Sequence, residues 1–192
     1  MHMRANIALY GIASTLLMLL AGLFQQPLTA SMALHMLVHI PMILVSGMLA
    51  ECVLYARGQA RQYRSYNEYG VPGLLLATFA SAYWMIPKAL DDVLTSVPLN
   101  ILKFAGLFLV GMILMDSLRQ ANRVIILFFL GSFSWMAAVI GLVYQDSTTR
   151  LCNFYLLSDQ EIAGKGLVFL AIALPVYWLL SEIKPIWHFL KR

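Results

Sequence analysis

Charged side chains are scarce in this sequence. Aspartate, glutamate, lysine and arginine make up 11% of its 192 residues, less than half of the ~25% usual in a soluble domain. With so little charge and so much apolar surface, the chain is not a disordered one, nor a soluble nucleic-acid binder. Cysteine is rarer still: two residues exclude a disulfide-stapled secreted module. Also missing are a nucleophile elbow, a P-loop, an H-E-x-x-H helix and a dinucleotide-binding glycine fingerprint. No Ser-His-acid arrangement can be read from the chain either, so no enzymatic activity is expected. What fills the sequence is apolar, with 61% hydrophobic residues and a mean hydropathy of +0.78. Residues 1–192 read as a single integral membrane domain, with the lipid bilayer as first partner and no nucleic acid.

The expected fold is all-α, a polytopic bundle of about six transmembrane helices. Six apolar stretches approach the ~20 residues needed to cross a ~30 Å hydrocarbon core: residues 5–24, 31–56, 70–86, 98–118, 124–144 and 166–181. Continuous runs of this length exclude barrel strands, which would be ~10-residue alternating segments. The first run exceeds the usual h-region of a signal peptide and lacks an A-x-A site, so it reads as a membrane helix. Arg4, Arg57, Arg61, Arg64, Arg119, Arg123, Lys184, Lys191 and Arg192 fall on one side of these spans. Only Lys88, Arg150 and Lys165 fall on the other, with Asp91, Asp92, Asp146, Asp159 and Glu161. The positive-inside rule then puts both termini in the cytoplasm and an acidic face outside. Residues 145–165 form the longest expected outer loop, and Asp91-Asp92 are expected in the loop after Pro87.

The most informative stretch is Ser31-Met-Ala-Leu-His-Met-Leu-Val-His39. On an α-helix Met32, His35, Met36 and His39 form one stripe at i, i+3, i+4 and i+7. Imidazole and thioether together suit copper, Cu(I) above all. The plainer alternative also stands. Eleven methionines put one near any histidine by chance, and histidines near helix ends hydrogen-bond across membrane bundles. Haem is not expected, because bis-histidine ligation draws on two helices and the other histidines, His2 and His188, are at the cytoplasmic ends.

Two charges fall inside spans. Glu51 lies toward the inner end of the second segment and Lys103 toward the outer end of the fourth, about 15 Å apart in depth at ~1.5 Å per residue. Lys103 is expected to snorkel outward toward Asp91, Asp92 or Asp159. Cys52 and Cys152 are on opposite sides and cannot pair. Tyr83, Trp84, Trp135, Tyr155, Trp178 and Trp187 read as interfacial-belt or packing residues.

Several pieces, in order, resemble the CtaG-like family of bacterial cytochrome c oxidase assembly factors. His35-Met-Leu-Val-His39 resembles its H-M-x-x-H helix, and Trp84-Met-Ile-Pro87 with Asp92 its W-x-x-P stretch and downstream acid. Residues 98–111 are similar to its next helix. Asp159-Gln160-Glu-Ile-Ala163-Gly164 is similar to its D-Q-x-x-(A/G)-G segment opening a late helix. The likeness covers residues 31–175. It implies a bacterial inner-membrane protein that helps insert copper into cytochrome c oxidase or another copper-dependent membrane complex. The implied metal ligands are His35 and His39 with Met32, Met36 and Asp159. The sequence departs from the family where a second histidine pair, H-x-x-E-H, is typical: Asn100, Lys103 and Phe104 stand there. The chain also has six expected helices where the family has about seven. These departures open a second expectation, an accessory subunit of such a complex with no metal of its own.

Overall fold

The computed structural model describes residues 2–58 and 66–190, and side chains within residues 7–58 and 66–182. Arg61, Arg64, Lys191 and Arg192 lie outside the described residues. His2, Arg4, Lys184, Trp187 and His188 lie outside the described side chains. Among the described residues the chain is helical, without a strand. Its elements are α1 (His2–Leu23), α2 (Gln25–Leu28), α3 (Met32–Leu34), a π-helical turn (His35–His39), α4 (Ile40–Ala56), a 3-10 turn (Glu68–Gly70), α5 (Val71–Trp84), α6 (Pro87–Thr95), α7 (Val97–Gln120), α8 (Arg123–Asp146) and α9 (Leu157–Leu190).

Four helical stretches are long and apolar enough to cross a membrane: Met32–Ala56, Val97–Gln120, Arg123–Asp146 and Leu157–Glu182. A fifth exists if Glu68–Trp84 and Pro87–Thr95, bent by 76°, form one broken span. Ile7–Leu23 is a shorter apolar helix. Large apolar side chains stand outward along these helices, Val124 at 76% exposure and Phe169 at 69% among them. A surface that apolar, continued over several helices, matches lipid rather than water.

The helices close into a ring. α4 packs on α7, α7 on α5, α5 on α8, α8 on α9, and α9 returns to α3, while α1 lies against α4. Lipid tails are as apolar as leucine, so burial alone does not drive such packing; close backbone approach and polar contacts do. Two glycine pairs provide the approach. A Cβ at Gly47 would strike the Phe108 carbonyl of α7, and one at Gly111 the Leu44 carbonyl of α4. Gly141 and Gly164 meet in the same reciprocal way between α8 and α9.

The second expected span is not a uniform α-helix. Residues 35–39 form a π turn, in which His35 O accepts from Ile40 N. The cause is in the sequence at Pro41. Its nitrogen cannot donate to Leu37 and its ring crowds that carbonyl, and a wider turn just before it relieves the conflict. Such turns interrupt helices and aim side chains differently from an ideal stripe.

Two loops differ from expectation. Asp91 and Asp92 lie in α6 rather than in a loop. Pro87 starts this helix with its φ pre-set for the first turn, Ala89, Leu90 and Val93 are buried, and Lys88 pairs with Asp92 at 3.0 Å on the exposed face. The expected 145–165 loop shortens to residues 147–156, because α8 continues to Asp146 and α9 starts at Leu157.

Candidate functional site

The π turn brings His35 and His39 together, their ring centroids 5.5 Å apart. Both side chains are fully buried. His35 is hydrogen-bonded at both nitrogens: Nδ1 lies 2.8 Å from the Tyr155 hydroxyl, and Nε2 lies 3.2 Å from Lys103 Nζ. An ammonium can only donate. Lys103 therefore donates to Nε2, and the ring proton sits on Nδ1, which donates to Tyr155. His39 Nε2 lies 3.1 Å from the Ala21 carbonyl. A carbonyl only accepts, so His39 Nε2 carries the proton and Nδ1 holds a lone pair. That Nδ1 is buried and has no hydrogen-bond partner.

The wall opposite the histidines comes from α7. Lys103 is fully buried and turns inward to His35. It does not snorkel outward to Asp91, Asp92 or Asp159. Phe104 sets its ring edge-on to His39, centroids 5.4 Å apart. Asn100 Nδ2 donates to Gln25 Oε1 of α2 at 3.2 Å, and its Oδ1 is buried without a partner. The three positions at which the sequence departs from a second histidine pair thus meet the histidine-bearing segment or its neighbour α2.

The remaining candidates divide. Met32 and Met36 are buried in an apolar cluster with Met85, Leu90, Tyr144 and Tyr155. Asp159 stands in the first turn of α9, where a carboxylate suits the helix N-terminus. Its charge acts on Tyr155, whose phenol is raised above its ordinary range by burial first and then by Cys152, Asp91 and Asp159. Among the described residues no group of three or more His, Cys, Asp or Glu side chains is placed to share a metal ion. Of the four imidazole nitrogens one is free, so copper at His35 requires that residue to release Lys103 or Tyr155.

Sequence reasoning underrated two residues. Tyr155, read as belt or packing, is 3% exposed and is His35's partner across 120 residues. No local signal predicts that pairing. Gln160 is 1% exposed; its Oε1 accepts from Leu151 N at 2.9 Å, and its Nε2 donates to the Tyr144 carbonyl at 3.1 Å. It clamps the 147–156 loop that carries Tyr155. Asp91 does the same from α6, accepting from Asn153 N at 2.7 Å. Cys152, within this loop, is buried, and burial, with help from Asp91, pushes its thiol up to about 12.

At the other end of α4, Glu51 faces Arg119 of α7 at 3.8 Å. Asn67 stitches the chain before α5 to α7. Its Nδ2 donates to Asp116 Oδ2 and to Ser117 Oγ, each at 2.9 Å, and its Oδ1 accepts from Gly73 N at 3.1 Å. Comparison with known proteins adds no relative: no family model, no curated protein and no solved structure matches the chain.

Proposed function

We propose that this chain is a non-catalytic accessory subunit of a respiratory or copper-dependent membrane complex, with no metal of its own. The observation that supports it is the Lys103 ammonium 3.2 Å from His35 Nε2. A cation there takes the lone pair a metal would use and repels a second cation. His35, Lys103 and Tyr155 then act as an internal tie between α7, the π turn and the loop before α9. In this reading the protein sits in the bacterial inner membrane with six crossings and both termini in the cytoplasm. The alternation of basic residues along the sequence supports that topology.

A second reading, copper handling during assembly of cytochrome c oxidase, is favoured by one observation. His39 Nδ1 is buried with its lone pair unused. There His39 and His35, with Met32 and Met36, would hold copper as borderline and soft donors, and Asp159 would add a hard carboxylate. Copper measured per mole of gently purified protein separates the two. No copper, with a large complex retained at fixed ratio, is the expected result. About one copper per chain, lost on replacing His35 and His39 together with Ala, would overturn it in favour of copper handling.

A further inference from the structure

The half of the bundle away from the histidines holds a partly open cavity of about 560 Å³ between α4, α5 and α7, with Leu76 and Leu109 of its lining exposed. That is within the ~300–1,000 Å³ typical of small-molecule sites. Leu54, Leu76, Leu109 and Met112 supply apolar wall, and Glu51 and Asp116 are the charged side chains lining it among the described residues.

Neither carboxylate is fully compensated. Glu51, a lining residue, is 7% exposed, and its Oε1, which faces Arg119, accepts no hydrogen bond. Arg119 stands 3.8 Å away, beyond hydrogen-bond reach. One edge of that guanidinium is held elsewhere, with Nη2 donating to Cys52 Sγ at 3.0 Å and the plane 4.4 Å from the Tyr55 ring centroid, while Nη1, which faces Glu51, has no hydrogen-bond partner. Asp116 Oδ2 accepts from the neutral amides of Asn67 and Gln120, which fill lone pairs without cancelling charge. Among the described residues, one guanidinium stands against two carboxylates beside an apolar volume. Ionisable groups inside a membrane protein that lack a full partner mark ligand or ion sites.

We infer that this cavity binds a lipophilic amine, a protonated amine on an apolar body. The ammonium lies at Glu51 and Asp116, where charge-assisted hydrogen bonds form, and the body lies along Leu54, Leu76, Leu109 and Met112. The ammonium headgroup of a phospholipid shares this chemistry. It also brings a phosphate, and among the described residues no basic side chain lines the wall to receive one. The free amine is therefore the occupant assigned.

The test uses the full chain in phosphatidylcholine nanodiscs. Dodecylamine is titrated in below its micelle-forming concentration, with empty discs subtracted, beside dodecanol and dodecanoate. One saturable site is expected for the amine, with affinity at least tenfold above that of the alcohol or the carboxylate. Glu51→Gln is expected to weaken the amine at least tenfold. Leu54→Trp, at a half-buried lining position, narrows the cavity and leaves both carboxylates; it is expected to abolish binding, and it decides the matter if the Glu51 variant does not fold. Equal saturation of the wild type and the variants, or equal binding of dodecanoate, would overturn the site. Displacement of dodecylamine by phosphatidylethanolamine added to the discs would overturn the free-amine assignment in favour of a lipid headgroup.

Discussion

The two ends of the α4–α7 pair handle buried charge in opposite ways. At the histidine end Lys103 is wholly enclosed and meets a neutral imidazole, which is fixed in turn by Tyr155. At the Glu51 end two carboxylates line an open cavity, one with an ion pair at 3.8 Å and one with neutral amides. The same helix pair, brought together by Gly47 and Gly111, carries both. The first arrangement is suited to holding elements together, because each member is tied to another segment of the chain. The second leaves charge and volume unspent, which suits a ligand. A buried polar group costs little when satisfied and several kcal/mol when not, so the two ends respond differently to the same kind of substitution.

The largest effect is expected at the enclosed end. His35→Leu strands the Lys103 ammonium in the interior and is expected to cost about 3–5 kcal/mol. Thermal unfolding in detergent measures it. Lys103→Met leaves only a neutral ring acceptor unpaired and is expected to cost less, about 1–3 kcal/mol. The double variant should recover part of the His35→Leu loss, a coupling that a double-mutant cycle reads directly. Strict additivity would mean that the contact carries no energy and would erase the contrast between the ends.

Asn67→Ala is the counterpart at the open end. It removes three hydrogen bonds at once, and about 2–3 kcal/mol is expected, because Gly73 N and Ser117 Oγ stay buried. Glu51→Gln should cost under about 1 kcal/mol, since its ion pair is long and Arg119 is partly exposed. If Glu51→Gln proved as costly as His35→Leu, the open end would be structural as well.

Tyr155→Phe should cost about 1 kcal/mol and loosen the loop that contains Cys152. Maleimide labelling at pH 8 reads this: Cys152, 2% exposed and with its thiol pushed up to about 12, should react slowly in the wild type and faster in the variant. The raised thiol also fixes a pH window. The neutral form is favoured by folding, so its contribution is whole below about pH 9, the ordinary thiol value, and is lost as pH rises toward about 12. Equal stability of wild type and Cys152→Ala profiles across that window would remove the thiol from the account.

Much of the architecture is legible in the residues. The helical class and the end of α5 before Pro87 follow from run length and proline chemistry. The π turn had a signal at Pro41 that a hydropathy window averages away. α6 had one too, a proline followed by Ala89, Leu90 and Val93 at helical spacing, but the adjacent aspartates read as a loop. The candidate site was half legible. His35 and His39 stand out because imidazoles are rare in membrane helices, and their closeness is local geometry. Their partners come from residues 18 to 120 positions away, which no periodicity encodes.

The sequence by itself determined that this is a membrane-embedded helical protein, because apolar runs of this length must satisfy their backbone internally in lipid. It also determined that two histidines share one turn. Only the tertiary structure decided that Lys103 faces inward and takes the lone pair of His35, and that Glu51 and Asp116 share a cavity. Both outcomes depend on which faces of α4 and α7 meet, and the close contact at Gly47 and Gly111 sets that registry in three dimensions.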